Sequence, residues 1–334
     1  ASNHVAVKGK LEDNERLINT LKNPFFLKMY CKLYSTEGVS TPGEVLHAFF
    51  SERSGKYSVR QRIKEISKDQ HTFQAPHTRN FITEKMQWFI LDFLLPAIGW
   101  HMVKHEYYFL DRNSVKAIWD RILKSEEDAD ICGKYGRKFF DIYHGEKGRT
   151  FNIKSCADQI LALGVDGNYT QELIDYCVYS LGVLGVKDES VCFIHQHIRD
   201  YFASMKIITD MKLSVYVSEE SSEKGIGCLK VINEDLINTD TLHLCGEILG
   251  EYRNCQSTGG SLIEQTLKLY RKRFEPEQYV GYGVHNLLAM IYESRKSLAD
   301  VDLSYLDLRK CRFYNVELKR ADMTGALINH DNLF

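Results

Sequence analysis

The side chains best suited to chemistry in this 334-residue chain are its histidines and cysteines, and their spacing limits what they could hold. His101 and His105 stand four apart, the spacing that places two zinc ligands on one face of a helix. No glutamate follows His101 and no third ligand is evident, so an incidental pair is expected. On a helix, His195-Gln196-His197 would send its two rings in different directions, which disfavours a shared metal. His243, Cys245 and Cys255 lack zinc-finger spacing. The nine cysteines are scattered, odd in number and never in a Cys-x-x-Cys pair. That usage predicts reduced thiols in a cytosolic compartment rather than a disulfide frame or a structural zinc site. Nothing local singles out one of them as a nucleophile, so buried, inert thiols are expected.

Phosphate chemistry makes a sharper demand. A P-loop needs Gly-x-x-x-x-Gly-Lys-Ser/Thr, so that backbone amides and a lysine can cradle phosphates, and no such string occurs. Gly133-Lys134-Tyr135-Gly136-Arg137-Lys138 and Gly145-Glu146-Lys147-Gly148-Arg149-Thr150 have the composition of a phosphate loop without its spacing. No run of strand residues ends in paired acids that could hold magnesium. No catalytic residue, metal ligand or resident cofactor is therefore expected in this chain. Between Lys134 and Arg149, basic residues alternate with Tyr135, Phe139, Phe140, Tyr143 and His144, a composition that can bind single-stranded nucleic acid. A solvated insertion with its aromatics packed on the core is the expectation there. The formal charge of −2 gives no global pull toward nucleic acid or anionic lipid. The longest apolar stretch, Phe89 to Val103, contains Asp92, Pro96 and His101 and is expected to be too short to span a bilayer. The polar N-terminus carries no signal-peptide pattern.

These groups must be positioned by a mostly helical chain, since only five prolines interrupt it. Leu17, Ile18, Leu21, Phe25, Phe26, Met29 and Leu33 form a helical face broken at Asn23-Pro24, with Pro24 in the first turn of the second helix. Thr41-Pro42-Gly43-Glu44 repeats that logic before Val45, Leu46, Phe49 and Phe50. Residues 51–79 are charged and predict an exposed helix, then a loop near Pro76. Helices are expected over 81–104 and 113–124, joined by an extended, aromatic-rich edge at 105–110. An insertion is expected near 126–151, and helices again at 155–163 and 170–184. A small hairpin follows around Lys187-Asp188-Glu189-Ser190, then a helix over about 195–212. Helix, helix, hairpin, helix is the order of a winged-helix unit. Residues 213–297 read as helical, with breaks at Gly225-Ile226-Gly227 and Ser257-Thr258-Gly259-Gly260. The final helix, about 284–296, runs directly into the C-terminal segment.

That segment repeats every five residues. Leu303, Leu308, Phe313, Leu318, Met323, Ile328 and Leu333 fill one slot, and Val301, Leu306, Cys311, Val316, Ala321, Ala326 and Asp331 fill the slot two earlier. Neither a 3.6-residue nor a two-residue period would bury both slots, so a chain that turns a corner at each repeat is expected. The segment resembles the pentapeptide-repeat family, most closely at Ala321-Asp322-Met323 and Val301-Asp302-Leu303. The resemblance implies a right-handed, four-sided β-helix. Seven repeats make fewer than two coils, so the chain is expected to continue beyond Phe334.

Phe193-Ile194-His195-Gln196-His197-Ile198-Arg199-Asp200-Tyr201-Phe202-Ala203-Ser204 resembles the signature that closes the winged-helix domain of NACHT-type (STAND) signal-transduction ATPases. Asp200 departs from the usual glutamate and Ser204 from alanine. Leu21-Lys22-Asn23-Pro24-Phe25-Phe26-Leu27 is similar to the Asn-Pro opening of that family's helical domain, and pentapeptide arrays end some of its bacterial members. The resemblance implies a mainly α chain: a helical domain over 1–80, a winged-helix-like domain over 81–212, a helical region over 213–297 and a pentapeptide-repeat solenoid over 298–334. It implies that Pro24 packs near adenine and that His195 contacts the terminal phosphate of ADP, completed by a nucleotide-binding domain upstream of Ala1. The residues alone leave open that Pro24 only starts a helix and that His195 only serves a helix start. The implied role is a nucleotide-state switch in the cytoplasm, with ATP or ADP bound by the full-length parent, an unknown protein trigger or effector, and self-assembly. A stand-alone helical and pentapeptide-repeat adaptor for protein or nucleic acid remains the other reading, and an enzyme with an unrecognised site a third.

Overall fold

Pro24 begins a helix because its missing N–H belongs to a first turn that has no intrahelical acceptor for it anyway. In the computed structural model, which describes residues 15–37, 41–51, 82–124, 153–164, 168–219, 222–250, 261–271, 281–313 and 315–329, helix α1 spans Glu15–Leu21 and α2 spans Pro24–Glu37. The Leu27 N–H donates to the Asn23 carbonyl to close the first turn of α2. α3, Pro42–Ser51, opens on a reciprocal capping box. The Glu44 N–H donates to Thr41 Oγ1 and the Thr41 N–H to Glu44 Oε2, both at 3.2 Å. Of the described residues, 65% are helical, so the protein is mainly α. The expected insertion at 126–151 and the charged segment at 52–79 lie outside the described residues.

The described residues up to Phe202 form one compact unit and those from Ala203 onward a second. In the first, α4 (Glu84–Phe89), a π-helical turn (Ile90–Leu94) and α5 (Leu95–Lys104) run on without a break. Pro96 has no N–H to donate, and the wider turn carries the helix past it. The run 85–104 thus reaches 20 residues, long and apolar enough by length and composition to cross a membrane, which corrects the expected shorter stretch. Its window is 61% buried inside the protein, where Phe89, Ile90, Leu94 and Ile98 belong to the core.

α6 (Arg112–Lys124) contributes Trp119, fully buried, whose indole N–H donates to the Leu94 carbonyl at 3.1 Å. Next come α7 (Ile153–Leu161), α8 (Tyr169–Asp175) and a second π turn (Tyr176–Ser180). The helix expected over 170–184 stops at that turn. β1 (Leu110–Asp111), β2 (Leu184–Lys187) and β3 (Ser190–Phe193) form an antiparallel sheet in the order β1-β3-β2. Leu184 pairs with Phe193 and Val186 with Val191. The hairpin turns on Asp188 and Glu189, both with positive φ.

α9, Gln196–Ser218, extends six residues past its expected end, and the division between the units falls within it. Before that division, Tyr201 and Phe202 pack on Phe50 with ring centroids 5.2 Å apart, and Phe202 stacks on Phe193 at 5.7 Å. Burying each such ring contributes about 1.5–3 kcal/mol.

The second unit holds α10 (Ser222–Gly227), α11 (Lys230–Glu234), α12 (Thr239–Leu249), α13 (Leu262–Arg271) and α14 (Gly283–Arg295). Gly225 and Gly227 end a helix instead of breaking one: a Cβ at Gly225 would stand 2.9 Å from the Ser214 carbonyl oxygen, so the glycine permits two helices to approach. Asn286, fully buried, donates to the carbonyls of Ile232 and Asp235 and accepts from the Ile237 N–H, fixing the loop before α12.

Beyond α14 the backbone bends leftward at Asp300, Tyr305, Asn315, Arg320 and Gly325, all with positive φ and all on the five-residue frame. Parallel bridges link Asp302 to Asp322 and Asp307 to Leu327, each pair 20 residues apart. Among the described residues, these isolated bridges are the pairing found outside the three-stranded sheet. Val301, Leu303, Leu306, Leu308, Cys311 and Phe313 are buried, whereas Val316, Leu318, Ala321, Met323 and Ala326 are half-buried and Ile328 is 36% exposed.

Candidate functional site

His195 stands between a strand and a helix. The Ile194 N–H donates to the Val183 carbonyl at 3.1 Å, which anchors the end of the hairpin one residue earlier. His195 then caps α9: its carbonyl accepts from the N–H groups of Ile198 and Arg199, and its Nδ1 accepts from the His197 N–H at 3.2 Å. A ring nitrogen that accepts cannot carry the proton, so the neutral ring holds it on Nε2. Among the described residues Nε2 has no hydrogen-bond partner. The ring is half-buried. Burial lowers its pKa below 6.5, nearby His197 lowers it further, and Asp200 opposes both.

Several other residues of the same segment face inward. Phe193, Asp200, Tyr201, Ala203 and Ser204 are all buried. Asp200 accepts from Arg199 Nε at 2.9 Å and from Nη2 at 2.7 Å. These positions pack the interior, while the His195 ring stays half-exposed.

Pro24 is exposed at the start of α2. Two residues on, Phe26 is fully buried and packs edge-on against His195, with ring centroids 4.8 Å apart and planes at 77°. The Asn23-Pro24 turn and the start of α9 are thereby joined through one ring. Phe26 also meets His197 at 5.6 Å. The sequence pattern counts Phe26 as an ordinary apolar position of its helix, so this link was not readable from spacing.

One expectation needs correction. The rings of His195 and His197 do not diverge; their centroids are 5.0 Å apart, because His195 is the cap and not a helical residue. No group of three or more metal-capable side chains occurs among the described residues. His101 and His105 do share a face, with centroids 4.5 Å apart. His243 pairs with Glu247 at 2.8 Å. The seven described cysteines are free thiols, and burial pushes Cys228 up to about 11 and both Cys245 and Cys311 up to about 12. Such thiols are poor nucleophiles at neutral pH.

No family model, curated protein or solved structure matches this chain.

Proposed function

We propose that the chain is the regulatory portion of a NACHT-like signal-transduction ATPase, which locks or releases a nucleotide-binding domain encoded upstream. The observation that carries this reading is the Phe26–His195 contact. It places the exposed Pro24 turn and an imidazole with a spare N–H donor within one unit. ADP fits such a pair: an apolar pyrrolidine suits the purine face, and Nε2–H of His195 suits a phosphate oxygen. A neutral, half-buried imidazole would take up a proton beside that anion, strengthening the hold on the diphosphate. The partners on this reading are the upstream domain, a protein trigger or effector, and further copies of the assembled protein. Its place is the cytoplasm, and the free thiols support that.

Finer features of the fold agree with it. Two helices, a hairpin and a long helix in that order support a winged-helix unit. Left-handed corners on a five-residue frame, with backbone bridges at a 20-residue offset, support a four-sided pentapeptide-repeat coil.

The test uses the protein that includes the P-loop core. His195→Ala should speed release of a fluorescent ADP analogue and raise basal signalling, since a closed state that loses one phosphate contact is less favoured. This chain alone should neither hydrolyse ATP nor lose its fold on that substitution. Equal ADP release by variant and parent would sink the proposal and leave the adaptor reading in its place.

A further inference from the structure

The segment between α5 and β1 is fixed at both ends yet turns three consecutive aromatic rings outward. α5 closes with the Tyr107 N–H donating to the Met102 carbonyl at 2.8 Å and the Glu106 N–H to the Val103 carbonyl at 3.3 Å, with Glu106 at φ 57°. This is the paired-bond ending that stops a helix at a left-handed residue. Leu110 and Asp111 then pair with Val191 and Ser190. Between these anchors Tyr107, Tyr108 and Phe109 are 48%, 64% and 50% exposed. Adjacent apolar rings held in water on an ordered backbone mark a contact surface.

Each tyrosine already has a planar partner. The His105 ring stacks on Tyr107 at 5.6 Å and 27°, and the Arg199 guanidinium lies 5.4 Å from the Tyr108 centroid. His101 extends the array, 4.5 Å from His105 and 6.0 Å from Tyr107. The fixed charges that act on His101 are those of Arg121 and Lys104, both cationic. The two carboxylates of the segment are Glu106 and Asp111, and Asp111 is engaged by the Ser114 N–H and hydroxyl. Half-exposed rings with Arg199, Lys104 and Arg121 near the same array offer what successive bases and phosphates of an unpaired strand require, Arg199 being shared with Asp200.

We infer that Tyr107, Tyr108 and Phe109, with His101, His105 and Arg199 beside them, form a stacking platform for single-stranded nucleic acid. The inference does not depend on the proposed nucleotide switch.

Fluorescence anisotropy on the 334-residue chain tests it, with labelled oligothymidylate and oligouridylate of about 12 nucleotides at about 50 mM salt. At least one should bind, and binding should weaken as salt rises to about 200 mM. The double variant Tyr107→Ala/Tyr108→Ala should lose affinity by about 10-fold or more, whereas Tyr107→Phe/Tyr108→Phe should keep it. Tyr179→Ala, at a ring 45% exposed elsewhere in the same unit, should have no effect. No binding of either oligonucleotide, or equal binding by the double alanine variant, overturns the inference. So does self-association that the double alanine change abolishes while oligonucleotides fail to bind, because the rings then serve a second copy.

Discussion

A Cβ built on Gly246 would stand 1.8 Å from Ser294 Oγ and 2.6 Å from the Met290 carbonyl oxygen, so α12 and α14 cross where only hydrogen fits. The Ser294 hydroxyl donates to that same carbonyl at 2.9 Å, which fixes the obstacle in place.

Gly246→Ala should therefore destabilise the second unit by about 2–3 kcal/mol, the cost of forcing extra volume into a closed contact. Chemical denaturation would read it. Adding Ser294→Ala should recover only part of the loss, since the Met290 oxygen belongs to the backbone. Full recovery would mean that the helices can separate at little cost.

Substitutions in the C-terminal segment should divide by slot. Leu308→Asp forces a carboxylate into a fully buried position and should cost about 3 kcal/mol or more. Lys319→Ala, at an exposed corner, should change stability by less than about 0.5 kcal/mol. Arg309 forms a two-pronged bond with Asp307, so Arg309→Ala should fall between, at up to about 1 kcal/mol. Equal tolerance at positions 308 and 319 would contradict the observed burial.

His195 imposes a pH slope on the first unit. Its folded pKa lies below 6.5, so the unfolded chain binds the proton more readily. The contribution is intact above the unfolded value and is lost as pH falls from about 6.5 through the folded value. His195→Asn keeps a capping side chain without a titrating group and should flatten the slope between about pH 5 and 6.5. An unchanged slope in that variant would assign the effect to another residue.

Asp120 should govern acid sensitivity at a lower range. Burial alone would raise its pKa, but hydrogen bonds from Lys116, Lys124 and Tyr169 outweigh that and hold it at about 2. Its stabilising contribution is present above the ordinary carboxylate value of 3.8 and fades as pH falls through about 2. The advantage of the parent over Asp120→Asn in an acid titration should thus be complete above about pH 5 and largely lost by about pH 2. A constant gap across that range would show that the carboxylate's charge is not what matters.

Features set by a few neighbouring residues were legible in the sequence. The Thr41–Glu44 box, the Pro24 turn and the Asp188-Glu189 hairpin each depend on contacts within four positions. The five-residue alternation was legible too, because it shows in the order of residue types alone. What escaped depends on distant partners. The π turn at 90–94 sits where Trp119, 25 residues after Leu94, donates into the helix. Gly225 has the look of a helix breaker, and only the Ser214 and Ser218 backbone opposite it explains the glycine. His195 and His197 looked divergent because the cap residue was placed inside the helix. At the candidate site, Pro24 and His195 could be named singly, while Phe26 as the ring joining them required the fold.

The left-handed corners at 300, 305, 315, 320 and 325 also restrict how this tail can change its length. One inserted residue would move every later corner off its permissive position and turn each later apolar side chain toward water. Five would restore the corners but change which residue lies across the bridge from Asp302. Twenty is the offset of both bridges, so a block of that size would keep the corners and also return Asp302 opposite an equivalent of Asp322.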